Sequence, residues 1–390
     1  MPSDTPLQLL GGLTAVEFLA DYWQKKPLLI RSAFSDFESP LDPDELAGLA
    51  CEEGIEARLV EEEGREGPWQ VRHGPFDERT FASLPERDWT LLVQAVDHYV
   101  PEVAELLEHF AFLPRWRLDD IMASYAPPGG SVGPHVDHYD VFLLQASGQR
   151  RWQLGGKVSD AAPILAGIDL RILEGFEVED GDDWVLEPGD MLYLPPSWAH
   201  HGVSESDDCM TLSVGFRSPS ADEAITSYAD YRGEHLPDSL RYSDAGMSPP
   251  ADPTELDDAA VARMRRLILD ALDDPAQMAQ WFGRVMTQPK YVDQLVPLEA
   301  PADVDDVVEA LQAGESLLRC PGSRFAWRSE ENGLATLFAD GDGFLCSADL
   351  ARTLASRASL DADILALEGS PALLAELLQA GSLGWADEEE

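Results

Sequence analysis

The chain has 390 residues, room for two or three domains, and 44% of them are hydrophobic, so a sizeable core is available. Against 73 acidic residues stand 27 basic ones, a formal charge of −46 that repels nucleic acid and anionic lipid surfaces. No stretch is long and apolar enough to predict a membrane helix.

From the N-terminus, Met1 to Gly12 lacks the basic start and apolar core of a signal peptide, which predicts a cytoplasmic protein. Residues 14–22 (TAVEFLADY) follow a Thr cap with helical spacing of apolar residues. Residues 27–31 (PLLIR) predict a short strand, and residues 43–50 (PDELAGLA) a helix opened by proline. Residues 89–96 (WTLLVQAV) predict a strand. From about Asp119 to Arg217 the texture changes. Short β-type runs at 121–126, 141–146, 150–155, 183–188, 191–196 and 211–216 alternate with turns such as PPGG (127–130) and EPGD (187–190). Many short strands with frequent turn signals predict a sandwich or barrel. Beyond Ser218 helices are predicted at 221–231, 257–272 and 275–286. After a Pro-containing linker come helices near 303–313, 348–356 and 371–380, with strand-like pieces around 322–328 and 335–344. The tail Asp387 to Glu390 predicts a solvated acidic end.

The sharpest feature is Pro134-His135-Val136-Asp137-His138. In an extended segment residues i and i+2 share a face, so His135 and Asp137 point one way and Val136 the other. Two histidines and one carboxylate on a triangular face, with the remaining positions open, are what a non-haem Fe(II) oxygenase requires. The second histidine is sought in residues 188–202 (PGDMLYLPPSWAHHG), where a turn and an apolar strand lead to His200 and His201. Adjacent extended residues face opposite ways, so one of the two serves, and His200 is our assignment. His138 has the wrong phase; His73, His98, His109 and His235 read as structural or exposed. No HExxH helix or paired cysteine set points to a zinc hydrolase, and Cys51, Cys209, Cys320 and Cys346 read as ordinary thiols. Arg150, fifteen residues after His135 at the start of the next strand, is a candidate fork for a distant carboxylate, with a structural ion pair as its competing reading.

These segments resemble the JmjC-type ribosomal oxygenases. The likeness is carried by residues 129–155 (GGSVGPHVDHYDVFLLQASGQRRWQLG), 186–202 (LEPGDMLYLPPSWAHHG) and 212–219 (LSVGFRSP). N-terminal pieces such as YWQKKPLLIRSAF (22–34) and LPRWRLDDIMASYA (113–126) add to it, as does QWFGRVMTQ (280–288). The resemblance implies an α+β chain with a double-stranded β-helix core over residues 1–217. It also implies a helical dimerisation region over 218–290 and a winged-helix-like domain over 291–390. It implies iron on His135, Asp137 and His200, 2-oxoglutarate held by Arg150 and touched by Ser124, and dioxygen as oxidant. The implied substrate is a basic large-subunit ribosomal protein, number sixteen, hydroxylated at C3 of an arginine by a homodimer. Winged helices often bind DNA, but the acidic charge predicts that this chain engages neither nucleic acid nor membrane. An acidic residue stands in the family where His201 stands here, which leaves a supporting role for His201 open. Tyr139, Asp119 and Asp120 are candidates to meet a cationic side chain. Competing readings are hydroxylation of a ribosomal histidine, demethylation of a methylated lysine, a three-histidine cupin enzyme and a non-catalytic cupin-like binding module. The acidity itself has two explanations, adaptation to a salty cytoplasm and local attraction of a basic partner; its spread along the whole chain favours the first.

Overall fold

The computed structural model describes residues 5–62, 69–159 and 161–386; the acidic tail 387–390 lies outside them. The chain divides into two compact units, Met1–Ser218 and Pro219–Glu390.

The first unit begins with α1 (Ala15–Asp21), where Thr14 and Glu17 form a reciprocal capping box, as do Asp42 and Glu45 at α2 (Pro43–Leu49). Two short helices, α3 (Glu78–Ala82) and α4 (Pro101–Glu105), complete the helical layer. The strands are β1 (Leu28–Ile30), β2 (Ala57–Glu62), β3 (Trp69–His73), β4 (Trp89–Val93), β5 (Leu118–Ala126) and β6 (Val141–Ser147). They continue with β7 (Arg150–Lys157), β8 (Asp183–Leu186), β9 (Met191–Leu194), β10 (Trp198–Ser204) and β11 (Cys209–Phe216). Eight of them make one antiparallel sheet in the order β1-β9-β6-β11-β5-β4-β2-β3, and β10-β7-β8 make a second. Between them the two sheets supply the double-stranded β-helix. The six strands expected between 119 and 217 are all present; β2, β3 and β10 were not foreseen.

Alternation explains the layering. On β11, Met210, Leu212, Val214 and Phe216 face the helices and join Phe18, Phe110, Phe142 and Tyr193 in the main core. The aromatic rings there interlock, with Phe142 and Tyr193 centroids 4.8 Å apart and Phe18 and Tyr193 5.0 Å apart. The opposite face of β11 presents Thr211 and Ser213 toward the space between the sheets, beside Met122 and Ser124 of β5. Deeper in that space a smaller core of Val141, Leu143, Trp152, Leu154, Leu186, Leu192 and Leu194 closes the barrel. Every residue of β11 is buried, because both of its faces are covered.

The second unit contains α5 (Ala221–His235), α6 (Asp258–Leu272), α7 (Pro275–Thr287), α8 (Val304–Ala313), α9 (Ala348–Ser356) and α10 (Ser370–Gln379). Tyr228 of α5 packs on Trp281 of α7 at 5.1 Å and donates its hydroxyl to the Leu272 carbonyl. β13 (Phe325–Ser329), β14 (Leu334–Ala339) and β15 (Asp342–Ser347) form a meander, while β16 (Ser359–Leu360), β12 (Leu317–Arg319) and β17 (Leu383–Trp385) form a second small sheet. The run 335–344, expected as one strand-like piece, is a tight hairpin: Asp340 and Gly341 both adopt positive φ and turn the chain between β14 and β15. α7 lies on the meander, where a side chain at Gly283 would collide with the Phe338 ring. α8, α9 and α10 bury Leu311, Leu350, Leu354, Leu374 and Leu377 in this unit's own core.

Candidate metal centre

His135, Asp137 and His200 converge in the first unit, with one ligand atom from each lying within 4.8 Å of the others. His200 Nε2 is 3.7 Å from Asp137 Oδ2, and the two imidazole centroids are 4.2 Å apart. Both rings carry the same constraint. Nδ1 of His135 is 3.0 Å from the Gly133 carbonyl and Nδ1 of His200 is 2.8 Å from the Trp198 carbonyl. A carbonyl only accepts, so each Nδ1 carries the proton and each Nε2 lone pair is left for a metal. Burial, and next the neighbouring His135, hold the His200 pKa down at about 4, so its imidazole is neutral at physiological pH, the form that ligates. The donor set therefore fits a divalent metal of the Fe(II) type with open positions.

The local backbone differs from the expectation in an instructive way. Residues 136–137 are not part of a ladder. Only His135 pairs, through reciprocal 3.0 Å hydrogen bonds with His200 on β10. Val136, expected to turn away, lines the same cavity as its neighbours because the segment is not a regular strand. Asp137 is set instead by Ser197, whose N–H donates to the Asp137 carbonyl at 2.7 Å. Ser197 reaches it by adopting φ +65 in the turn between β9 and β10. The segment's far end is fixed by Asp140, fully buried, which accepts from Tyr193 Oη at 2.7 Å, Gln24 Nε2 at 2.9 Å and Arg117 Nη2 at 3.1 Å.

The cavity above the triad has a volume of about 400 Å³. Arg150 lines it from β7, only 4% exposed, and its buried Nε and Nη2 make no hydrogen bond among the described residues. A buried guanidinium with free donors is chemically suited to pair with a carboxylate. Ser124 also lines the cavity, its hydroxyl 3.4 Å from the Thr211 carbonyl. Arg151, in the opposite phase, pairs at the surface with Asp183 and Glu205. His201 turns to the other side of β10, against the edge of Phe176, and its pKa is also held at about 4, first by burial.

Toward the mouth, Tyr139 lines the cavity, and the Asp137 carboxylate beside it is the first cause of a raised phenol pKa. Asp120 is buried and accepts from Gln94 Nε2, while Asp119 pairs with Arg217. The connection from β7 to β8 contributes Ile164, Ile168, Asp169, Leu170 and Arg171 to the wall, and Leu173 in it donates to the Pro134 carbonyl. Sequence reasoning missed this wall, as it missed Arg58, Trp152, Thr211 and Ser213. Thr211 and Ser213 left a trace, as hydroxyls at alternate positions of an otherwise apolar strand. The remaining histidines stand elsewhere: His73 pairs with Asp169, His98 lies beside Asp97, His109 packs on Phe34 and His235 bonds the Tyr231 carbonyl. The cysteines are free thiols.

Comparison with known proteins agrees with this geometry. A JmjC domain model matches residues 105–224 and a ROXA-like winged-helix model matches residues 270–384. The ribosomal protein uL16 3-hydroxylase of Escherichia coli is 40% identical over 308 residues, 79% of this chain and 80% of that protein. A probable ribosomal oxygenase of Haemophilus influenzae is 39% identical over 265 residues, 67% of this chain and 64% of that protein. The structure of the ribosomal oxygenase YcfD from Escherichia coli in complex with cobalt and 2-oxoglutarate superimposes with a TM-score of 0.83 at 36% identity, covering 96% of this chain and 99% of that one. The chain belongs to the JmjC-domain ribosomal oxygenases.

Proposed function

We propose that this protein is an Fe(II)- and 2-oxoglutarate-dependent dioxygenase that adds a 3-hydroxyl to an arginine of ribosomal protein uL16. The observation that carries the reading is the unpaired Arg150 guanidinium lining the same cavity as His135, Asp137 and His200. His135, Asp137 and His200 hold the iron, Arg150 takes the far carboxylate of 2-oxoglutarate, and Ser124 flanks the cosubstrate. Bound iron, 2-oxoglutarate and dioxygen together supply oxidative decarboxylation, yielding succinate, carbon dioxide and one oxygen atom for a substrate C–H bond. The chain's part is ligation, orientation and exclusion of water by the apolar wall. A binding module without catalysis has no use for a buried unpaired cation, which disfavours that alternative.

A cationic substrate side chain suits the cavity, which Tyr139 and Asp137 both line. The negative charge of the whole molecule attracts a basic ribosomal protein and repels nucleic acid. Among the described residues no helix is long and apolar enough to cross a membrane. We place the protein in the cytoplasm, where that substrate is made, with residues 1–217 as oxygenase, 218–290 as dimerisation region and 291–390 as winged helix. The dimer is supported by an apolar groove of about 650 Å³ along α6, lined by Tyr242, Leu256, Val261, Met264, Ile268 and Leu269. Light scattering on the wild type and on Ile268→Asp tests it, with a monomeric wild type as the adverse result.

The central test is mass spectrometry of an arginine-containing uL16 peptide incubated with the protein, Fe(II), ascorbate and 2-oxoglutarate. The expected result is one added oxygen on arginine, lost in His135→Ala and Asp137→Ala, which keep the fold. Oxygen on histidine, or loss of a methyl group from lysine, would replace the substrate; retained activity in both variants would overturn the metal assignment.

A further inference from the structure

On β7, Arg150, Trp152 and Leu154 share the inward face, and Leu154 lies opposite His200 on β10. Trp152 therefore stands along the strand between the cation and the metal ligand. Its indole centroid is 5.8 Å from the Arg150 guanidinium carbon and 5.8 Å from the His200 ring. The ring is 5% exposed and lines the cavity. Two features describe how its position is fixed. Opposite it on β10 is Gly202, where a Cβ would fall within 2.6 to 2.9 Å of the indole's six-membered ring, so the ring occupies a seat that only glycine leaves open. And its Nε1–H is buried with no acceptor among the described residues, a group that buried tryptophans normally satisfy.

We propose that Trp152 is a specificity-determining spacer that sets the chain length of the dicarboxylate cosubstrate. Seated against Gly202, the indole fixes how far the Arg150 fork stands from the metal triad. A 2-oxo diacid chelated at one end and ion-paired at the other must match that separation. On this proposal five-carbon 2-oxoglutarate is the match, four-carbon oxaloacetate is too short and six-carbon 2-oxoadipate is pressed against the ring. The inference rests on the reading of Arg150 as the carboxylate partner given above.

The two contacts of the indole allow opposite perturbations. Trp152→Ala removes the spacer, and Gly202→Ala pushes the ring off its seat into the cavity. The measurement is calorimetric binding of the three diacids to the Co(II)-loaded full chain, with the Co(II) dissociation constant measured separately. In the wild type, 2-oxoglutarate should bind at least ten times more tightly than either homologue. Trp152→Ala should narrow its preference over 2-oxoadipate at least fivefold, and Gly202→Ala should widen it, both with Co(II) affinity unchanged within twofold. If either variant fails to fold, the other still tests the direction of the shift. Equal weakening of all three diacids, or an unaltered preference in a folded variant, would show a merely structural tryptophan and overturn the proposal. A wild type that binds none of the three diacids overturns the Arg150 reading and the spacer with it.

Discussion

A buried guanidinium whose Nε and Nη2 make no hydrogen bond among the described residues is costly, and on the function we propose for Arg150 an entering carboxylate relieves that cost. Arg150→Met should therefore raise the melting temperature of the ligand-free protein. It should also weaken 2-oxoglutarate binding roughly 10- to 100-fold, the loss of hydrogen bonds to a charged group worth about 1.5–3 kcal/mol. A variant that binds 2-oxoglutarate as tightly as wild type moves the role to another residue. Asp97 makes a similar point without function. Burial raises its pKa to about 6, against the opposing influence of His98 and of the Ile121 N–H that it accepts at 2.7 Å. Because the folded pKa lies above the unfolded one, the ionised form costs stability above pH 6, and acidification through pH 6 toward pH 4 relieves it. Asp97→Asn should then be more stable than wild type at pH 8 by on the order of 1–3 kcal/mol. The advantage should shrink as the pH falls to 5; denaturant melts at the two pH values measure it, and a pH-independent difference would refute the ionisation argument.

Among the elements, the segment 133–140 departs from the form the sequence predicts. An HxD read as a strand groups His135 with Asp137 for a partly wrong reason. The observed segment is held by the Leu173 N–H on the Pro134 carbonyl, by the His135–His200 pair, by the Ser197 N–H and by the buried Asp140 carboxylate. Ser197 bears positive φ, a conformation costing about 1–3 kcal/mol for a side-chain-bearing residue. Ser197→Gly should keep Co(II) affinity within twofold and leave the melting temperature equal or higher. Ser197→Pro removes the N–H and forbids the dihedral, so Co(II) affinity should fall about tenfold or more. Equal affinity in the two variants would show that the Ser197 bond does not set Asp137. Helix α1 is the contrary case. Its Thr14–Glu17 box is legible in the sequence because capping involves neighbours only three residues apart.

For the molecule as a whole, the charge of −46 is the dominant fact. Like charges within one chain repel, and about 1 M salt shortens the screening length to about 3 Å. The melting temperature should therefore rise steadily from low salt to 1 M KCl. A fall over that range would mean that the ion pairs, such as Arg151 with Asp183 and Glu205, outweigh the repulsion. The same charge makes association with a basic substrate salt-sensitive in the opposite direction, so turnover on a uL16 peptide should weaken where stability gains.

By itself the sequence determined the pieces whose causes are local. These are the capped helices, the strand-rich centre from 119 to 217, and His135, Asp137 and the His200–His201 pair as candidate ligands. Each follows from periodicity, turn chemistry or ligand type within a short stretch of chain. Only the tertiary structure decided what depends on residues far apart in sequence meeting in space. It made β10 a strand carrying His200, gave Val136 to the cavity and seated Trp152 against Gly202. It also brought residues 164–171 of the β7–β8 connection across to form a wall. Above all it left Nε and Nη2 of Arg150 without a hydrogen bond among the described residues. Position fifteen after His135 makes an arginine a candidate; only folding, by burying it in the wall of the cavity that the triad also lines, supports the carboxylate role we propose for it.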